Sequence, residues 1–368
     1  MAEADPQAAA ECRIDVDASA GHVPATSSSL RLADHTTLRV GGPSRRLVVA
    51  TSEQQVIDTV ADCDERGEPV LVLGGGSNLL VGEDGFDGTV VQVAVGGITA
   101  VVSDCAGADV RVGAGQDWDA FVAHAVEHEF VGIEALSGIP GLVGATPLQN
   151  VGAYGAEVSQ TISSVRTWDR QERRVSTFAA AECGFGYRTS RFKAEPGRWV
   201  VVQVAFQFRQ GSLGAPVVYP ELARTLDVEV GHRAPLAAVR DAVLAIRRRK
   251  GMVLDDVDRD TWSAGSFFMN PLLTPEQAEA LPPEAPRYPT GERIKTSAAW
   301  LIQHAGFAPG HGTAAASLST KHVLALTNRG TATADDIVAL AREVRDGVRA
   351  AWGITLVPEV NLVGVTLD

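Results

Sequence analysis

Residues 73–80 read Leu73-Gly74-Gly75-Gly76-Ser77-Asn78-Leu79-Leu80. Upstream, 46–50 (RLVVA) and 70–73 (VLVL) are short apolar runs of strand length, and between them 53–66 carries Val56, Ile57 and Val60 at helical spacing. Downstream, 89–95 is apolar again, so the glycines lie in a connection between strands of a β-α-β start. Consecutive glycine amides can turn toward one oxyanion with no side chain in the way. A bound diphosphate and a plain Gly-rich turn account for the loop equally well. It is not G-x-G-x-x-G, because Leu79 stands where the last glycine belongs, and it lacks the G-K-S/T ending of a Walker loop.

A second irregular stretch follows at 137–155, SGIPGLVGATPLQNVGAYG, where Pro140, Pro147 and five glycines exclude a long helix or a regular strand. Two such loops on one scaffold point together to a long, multiply charged ligand of dinucleotide type laid across main chain. Between them, 101–112 contains strand-like pieces and 117–129 has helical spacing through Trp118, Phe121, Val122, Ala125 and Val126. Beyond them, 165–169 and 199–209 read as strands and 235–249 as a helix. Six prolines make 271–289 a surface loop around a short helix, 275–281. Residues 297–304 read as a helix, 323–326 as a strand, 333–351 as a helix capped by Thr333, and 354–363 as a closing strand. The class is α+β.

The chain has 368 residues, 45% of them hydrophobic and 21% charged, enough for two or three ordinary globular domains. A net charge of −13 provides no positive field for a nucleic-acid backbone. Residues 1–30 carry −4 of it and read as a flexible acidic tail. Cys12, Cys63, Cys105 and Cys183 are scattered, which fits a reducing cytoplasm better than a disulfide framework or a thiolate metal cage. No run is long enough for a membrane span and no signal peptide is visible. No metal site and no membrane or nucleic-acid partner are expected.

Five motifs in order carry a specific likeness: Leu73–Leu80, then 137–155, then Gly186-Tyr187-Arg188-Thr189-Ser190, then Ala264-Gly265-Ser266-Phe267-Phe268-Met269-Asn270-Pro271, and last Pro358-Glu359-Val360. From about residue 30 to the C-terminus the chain resembles the UDP-N-acetylenolpyruvoylglucosamine reductase (MurB) family of bacterial cell-wall synthesis. The resemblance implies an FAD-binding fold of the vanillyl-alcohol-oxidase (PCMH) type in two lobes, 31–95 and 96–212, followed by a tyrosine loop and connecting helix at 213–250 and a C-terminal α+β substrate-binding domain at 251–368. It implies non-covalent FAD, with NADPH as co-substrate and the enolpyruvyl ether of UDP-N-acetylglucosamine as acceptor. A monomer is expected.

The same resemblance assigns roles residue by residue. FAD would be held by Gly74, Gly75, Gly76, Ser77, Asn78, Ile139, Pro140, Gly144, Ala145, Thr146 and Gly152. Arg188 would pair with the substrate carboxylate, Ser266 would donate a proton, and Glu359 would help stabilise the intermediate. Tyr154, Tyr219, Lys250 and Asn270 would hold the substrate. Tyr219, in Val217-Val218-Tyr219-Pro220, matches the loop tyrosine of the family's first type. Met269 stands where some members have a basic residue, which puts substrate affinity in question. Most of the three arginines before Lys250 are read as partners of the helix dipole, Lys321 and His322 as surface residues, and His35 as a polar residue near the cofactor or at the surface. Two other readings compete: a flavin oxidase of the same fold acting on a small alcohol, and a flavin- or nucleotide-binding protein without turnover.

Overall fold

The computed structural model describes residues 14–18, for the main chain alone, together with 28–103 and 105–368. Two compact units emerge among the described residues: Arg46–Gly75 and Gly88–Arg247 with the strand 14–18 and Ser28 form the first, and Ser29–Arg45, Gly76–Asp87 and Arg248–Asp368 form the second.

In the first unit an antiparallel sheet runs in the order Ile14–Ala18, Ile98–Ser103, Gly107–Gly113, Trp199–Gln210, Ile162–Asp169, Arg174–Ala179, and Phe130–Val131 pairs with the end of Trp199–Gln210. Along the central strand Val204, Phe206 and Phe208 are buried at every second position, the strand period, while Val200, Val201 and Val202 are buried without a break. Helix Trp118–Glu127 starts where the Asp117 carboxylate accepts the Ala120 amide. It sets Phe121 against Phe206 at 5.0 Å between ring centroids. Rings buried in this way stabilise the unit by roughly 2–3 kcal/mol each.

A smaller sheet in the order Ser44–Ala50, Phe86–Val93, Val70–Leu73 carries the β-α-β start, and its last two strands are parallel with Leu73 beside Gln92. The intervening helix Glu53–Glu65 is capped by Ser52 and buries Val56, Ile57, Val60 and Cys63. Its charged face pairs with the large sheet through Arg166 to Glu53 at 2.9 Å, Arg170 to Asp64 at 2.5 Å, and Arg173 to Glu65. Such partly exposed pairs fix orientation more than they add stability.

In the second unit Leu79–Val81 pairs in parallel with Asn361–Val363, Leu80 opposite Leu362. Helices Ala298–His304 and Ala334–Trp352 bury Leu301, Ile302, Ile337, Ala341, Val344 and Val348 with Phe267 and Phe268. Thr333 and Asp336 form a capping box, and Gly353 at φ 68° ends the long helix in the left-handed conformation glycine tolerates.

Several sequence expectations are corrected. Most of the acidic tail lies outside the described residues, but Ile14–Ala18 is a strand paired with Ile98–Ser103. The alternation Ile-Asp-Val-Asp-Ala has the strand period, which the surrounding Ala, Asp and Glu mask. The strand expected at 323–326 is displaced to Leu326–Asn328, where it pairs with Ala316–Leu318. Of 354–363 only Asn361–Val363 is strand, since Pro358 supplies no ladder donor. Residues 29–45 and 76–87 pack with the C-terminal residues from Arg248 onward.

Candidate active site

In the first unit the second glycine loop is built onto the strand-to-helix junction that precedes Trp118. Trp118 N donates to Gly141 O at 3.0 Å, Val143 N to Gln116 O at 2.9 Å and Gly144 N to Ala114 O at 2.9 Å. The approach at Gly144 is so close that a Cβ there would lie 2.5 Å from the Ala114 Cβ. Leu142 then reaches the first loop: a Cβ at Gly74 would meet its Cδ1 at 3.7 Å, and one at Gly75 would meet the Gly141 Cα at 3.0 Å. The two loops, separated by some sixty residues of sequence, are therefore neighbours. Gly75 and Ala145 are exposed while Gly144 and Thr146 are buried, and Thr146 is held by its hydroxyl on Val143 O at 2.8 Å. Ile139 and Pro140 are half-buried beside them. Gly152 lies in a small hairpin with Glu157, where a Cβ would sit 2.9 Å from the Ala156 carbonyl oxygen.

The Arg188 turn is locked onto this second loop. Gly186 and Thr189 exchange main-chain hydrogen bonds at 3.1 and 3.3 Å. The Asn150 amide donates to Gly186 O at 3.2 Å and to Glu157 Oε2 at 2.8 Å, and the Ser190 hydroxyl donates to Leu148 O at 2.6 Å. Arg188 itself has φ 54° and donates from Nη2 to Gly152 O at 3.0 Å. Left-handed non-glycine backbone is costly and persists where neighbours over-determine it. Asn150 at φ 45° and Tyr154 at φ 51° share that conformation.

Tyr154 and Tyr219 meet edge to face, ring centroids 5.4 Å apart and planes at 90°. The turn beneath them is tight: a Cβ on Gly155 would lie 2.2 Å from Val218 Cγ2. Tyr219 is 41% exposed at the end of this loop, just before helix Pro220–Leu226. Burial raises the Tyr154 phenol above its ordinary range, with Arg247 opposing as a hydrogen-bond partner. Arg247 is thus buried against Tyr154 rather than solvated at the helix end, a correction to the dipole reading. Seven residues earlier on helix Leu236–Arg249, Arg240 forks onto Asp119 at 2.6 and 2.9 Å, and Asp119 also accepts Gly138 N at 2.6 Å. One helix therefore braces both ends of the second glycine loop.

In the second unit Gly76 has φ 61°, and a Cβ on it would overlap the His35 carbonyl oxygen at 1.8 Å. His35 is 8% exposed with Nε2 2.8 Å from Ser29 O, so it is a buried structural group under the loop and not a surface residue. Ser77 is half-buried, and Asn78 donates from Nδ2 to Glu359 O at 3.2 Å while its own carbonyl accepts Asn361 N at 3.0 Å. Glu359 N donates to Phe267 O at 2.8 Å and Met269 N to Val357 O at 3.0 Å, so the chain at Pro358 pairs antiparallel with Phe268. Ser266 therefore directly precedes the residue whose carbonyl holds the Glu359 amide. Asn270 directs Oδ1 to Ala298 N at 2.9 Å, which satisfies an orphan amide of that helix. Lys250 follows helix Leu236–Arg249, ahead of Gly251 at φ 66°. Lys321 pairs with Asp258 at 2.5 Å, which lifts its ammonium above the usual lysine range.

These residues fit a group bound through a diphosphate. The amides of Gly75 and of Gly76 have no acceptor among the described residues, and neighbouring atoms leave no room for a side chain at 76 or 144 and little at 75. Among the described residues no group of three or more His, Cys, Asp or Glu could hold a metal ion, and no helix is long and apolar enough to cross a membrane. Asn150, Lys193 and Arg247 were not singled out from sequence. Only Asn150, inside the glycine-rich stretch, had a signal there, as a residue type that tolerates the left-handed region.

The family model for an FAD binding domain matches residues 44–177, the stretch that holds both glycine loops, and together with reductase relatives over nearly the whole chain this defines an FAD-dependent oxidoreductase. Residues 256–363 match the model described as UDP-N-acetylenolpyruvoylglucosamine reductase, C-terminal domain. Curated proteins named UDP-N-acetylenolpyruvoylglucosamine reductase are similar over nearly the whole chain: that of Cutibacterium acnes is 60% identical, covering 91% of this chain and 90% of the relative, and that of Thermobifida fusca is 54% identical, covering 91% and 97%. The crystal structure of the reductase from Thermus caldophilus superposes with a TM-score of 0.62 at 26% identity, covering 90% of this chain and 97% of that one. The chain belongs to the UDP-N-acetylenolpyruvoylglucosamine reductase (MurB) family, whose members use FAD with NADPH as reductant in peptidoglycan precursor synthesis.

Proposed function

We propose that this chain reduces the enolpyruvyl ether of UDP-N-acetylglucosamine to the lactyl ether, UDP-N-acetylmuramate, with Arg188, Ser266 and Glu359 carrying the chemistry. The observation that supports it best is the main-chain pairing of Glu359 with Phe267, which gives a carboxyl group and a hydroxyl group neighbouring anchor points. FAD would be held by Gly74–Asn78 and by Ile139, Pro140, Gly144, Ala145, Thr146 and Gly152, and when bound would supply the hydride that NADPH provides.

An alkene resists hydride addition unless negative charge can collect on the adjacent carboxylate as an enolate-like dianion, so donors aimed at that charge lower the barrier. Arg188 pairs with the carboxylate through its planar fork of N–H donors. Glu359 holds the same charge from another side and donates a hydrogen bond only when protonated. Ser266 gives its hydroxyl proton to the carbon that does not receive hydride: the O–H bond breaks, the C–H bond forms, and a relay returns a proton to the alkoxide. Tyr154, Tyr219, Lys250 and Asn270 hold the diphosphate and sugar, Asn270 through Nδ2 because Oδ1 is engaged.

NADPH and the acceptor both carry diphosphates and use the same binding groups in turn. Double-reciprocal plots of NADPH oxidation at several acceptor concentrations are expected to be parallel, and intersecting lines from an obligatory ternary complex would contradict the proposal. The enzyme is read as a cytoplasmic monomer acting on small molecules, and its net charge of −13 supports the absence of a nucleic-acid partner.

A further inference from the structure

We infer that Lys193 is a positioning residue for Arg188, holding the arginine's strained main chain and placing a second positive charge in the turn that carries it. The inference rests on the reading of Arg188 as the partner of the substrate carboxylate.

The ammonium of Lys193 donates to the Arg188 carbonyl oxygen at 3.2 Å. A hydrogen bond from a charged donor is stronger than a neutral one, and its acceptor here is the carbonyl of a residue with φ 54°. The base from which Lys193 reaches is rigid. It lies on the four-residue helix Arg191–Ala194, where its own amide donates to Ser190 Oγ at 3.3 Å. Phe192 is 3% exposed, its ring 5.9 Å from Phe178 and 6.4 Å from Trp199. Because Phe192 and Ser190 already anchor the helix, the lysine is not needed to keep it folded.

The other cation on the helix behaves differently. Arg191 donates to Glu182 O at 2.8 Å and lies over the Phe178 ring at 4.2 Å, so it serves the sheet. Lys193 alone of the two is directed at the Arg188 turn. That turn is also tied by Asn150 to Gly186 O, by Ser190 to Leu148 O, by the Arg188 guanidinium to Gly152 O, and by the paired main-chain bonds of Gly186 and Thr189. None of these acts on the Arg188 carbonyl. Removing the ammonium lets the Arg188 main chain relax toward extended conformations and shifts the guanidinium from Gly152, while the local positive charge falls by one. Both changes weaken the stabilisation of charge that develops only during substrate reduction, and neither touches hydride delivery from NADPH.

The test uses the FAD-loaded enzyme in anaerobic stopped-flow measurements of each half-reaction, for Lys193→Met, Lys193→Gln, Lys193→Arg, Arg188→Ala and the double variant Arg188→Ala with Lys193→Met. Flavin reduction by NADPH is expected within twofold of the parent in every Lys193 variant. Reoxidation by the enolpyruvyl substrate is expected to slow about 10- to 100-fold in Lys193→Met, the scale of a misplaced catalytic group. Lys193→Arg is expected to recover most of it, and Lys193→Gln, which keeps a donor but no charge, to fall between. In the Arg188→Ala background Lys193→Met is expected to add less than twofold, whereas a merely structural role would slow both backgrounds equally. If Lys193→Met does not retain FAD, the Gln and Arg variants carry the comparison. Parent-like reoxidation in Lys193→Met or Lys193→Gln, with Arg188→Ala slow, would overturn the positioning role alone. Parent-like reoxidation in Arg188→Ala would overturn it together with the assignment of Arg188 to the carboxylate.

Discussion

The main-chain amide of Glu359 donates to the carbonyl oxygen of Phe267 at 2.8 Å. Through that bond the last motif of the chain is set against the fourth, nearly a hundred residues earlier in sequence, and the carbonyl of Glu359 in turn receives Asn78 from the first glycine loop. Three motifs that are far apart in sequence are thus tied at Glu359, one through a main-chain bond and one through the Asn78 side-chain amide.

Ser266→Ala removes the proposed proton donor while leaving this pairing intact. Flavin reduction by NADPH is expected to be nearly unchanged and reoxidation by the enolpyruvyl substrate to slow by about 100-fold or more, as proton-transfer catalysis usually contributes. Rapid-mixing absorbance measurements separate the two steps, and equal slowing of both would remove Ser266 from its role.

Gly144→Ala tests the packing of the second glycine loop on Ala114. The added methyl would lie 2.5 Å from the Ala114 Cβ and 3.0 Å from its carbonyl oxygen. Overpacking of this kind costs about 1–3 kcal/mol, so a lower melting temperature and a lower flavin content per protein are expected. A variant with parent flavin content and stability would show that the second loop need not approach Ala114 so closely.

Gly347→Ala separates helix propensity from packing. In the exposed middle of a helix this change gains up to about 1 kcal/mol, but here the methyl would meet the Phe307 ring at 2.4 and 2.5 Å. Net destabilisation is expected in denaturant unfolding, and a gain when Phe307→Ala accompanies it. Stabilisation by the single change would contradict the contact.

His124 gives a pH dependence. Burial lowers its pKa, with the neighbouring His128 adding to the effect and Glu127 opposing it; the two imidazole rings lie 4.0 Å apart. A histidine whose folded pKa lies below its unfolded value binds fewer protons when native, so stability is full above the ordinary value and falls as pH drops through it toward the folded value. The parent's melting temperature is expected to fall more steeply from pH 7 to pH 5 than that of His124→Phe. Parallel profiles would show that His124 does not titrate in this way.

Local pattern made much of the fold readable. Helix Glu53–Glu65 and strand Val70–Leu73 follow from apolar spacing, and Thr333 marks its helix start through a capping box. The tie between Glu359 and Phe267 had no such signal, because it is made by peptide groups that every residue carries. Lys193 and Arg247 were invisible for a related reason: a lysine or arginine on a helix is solvated by default, and only packing shows that Arg247 is buried under Tyr154 and that Lys193 reaches Arg188 O. The strand Asn361–Val363 was overextended because apolar residues continue through Pro358, although a proline cannot donate to the ladder.

The central claim is that electrons from NADPH pass through FAD to the enolpyruvyl sugar nucleotide. Purified protein is reduced anaerobically with one equivalent of NADPH and then titrated with the enolpyruvyl ether of UDP-N-acetylglucosamine while the flavin absorbance is followed. Full return of the oxidised spectrum at one equivalent, with the lactyl ether formed in the same amount, is the result expected. A flavin that stays bleached until oxygen is admitted would contradict the account and point to an oxidase.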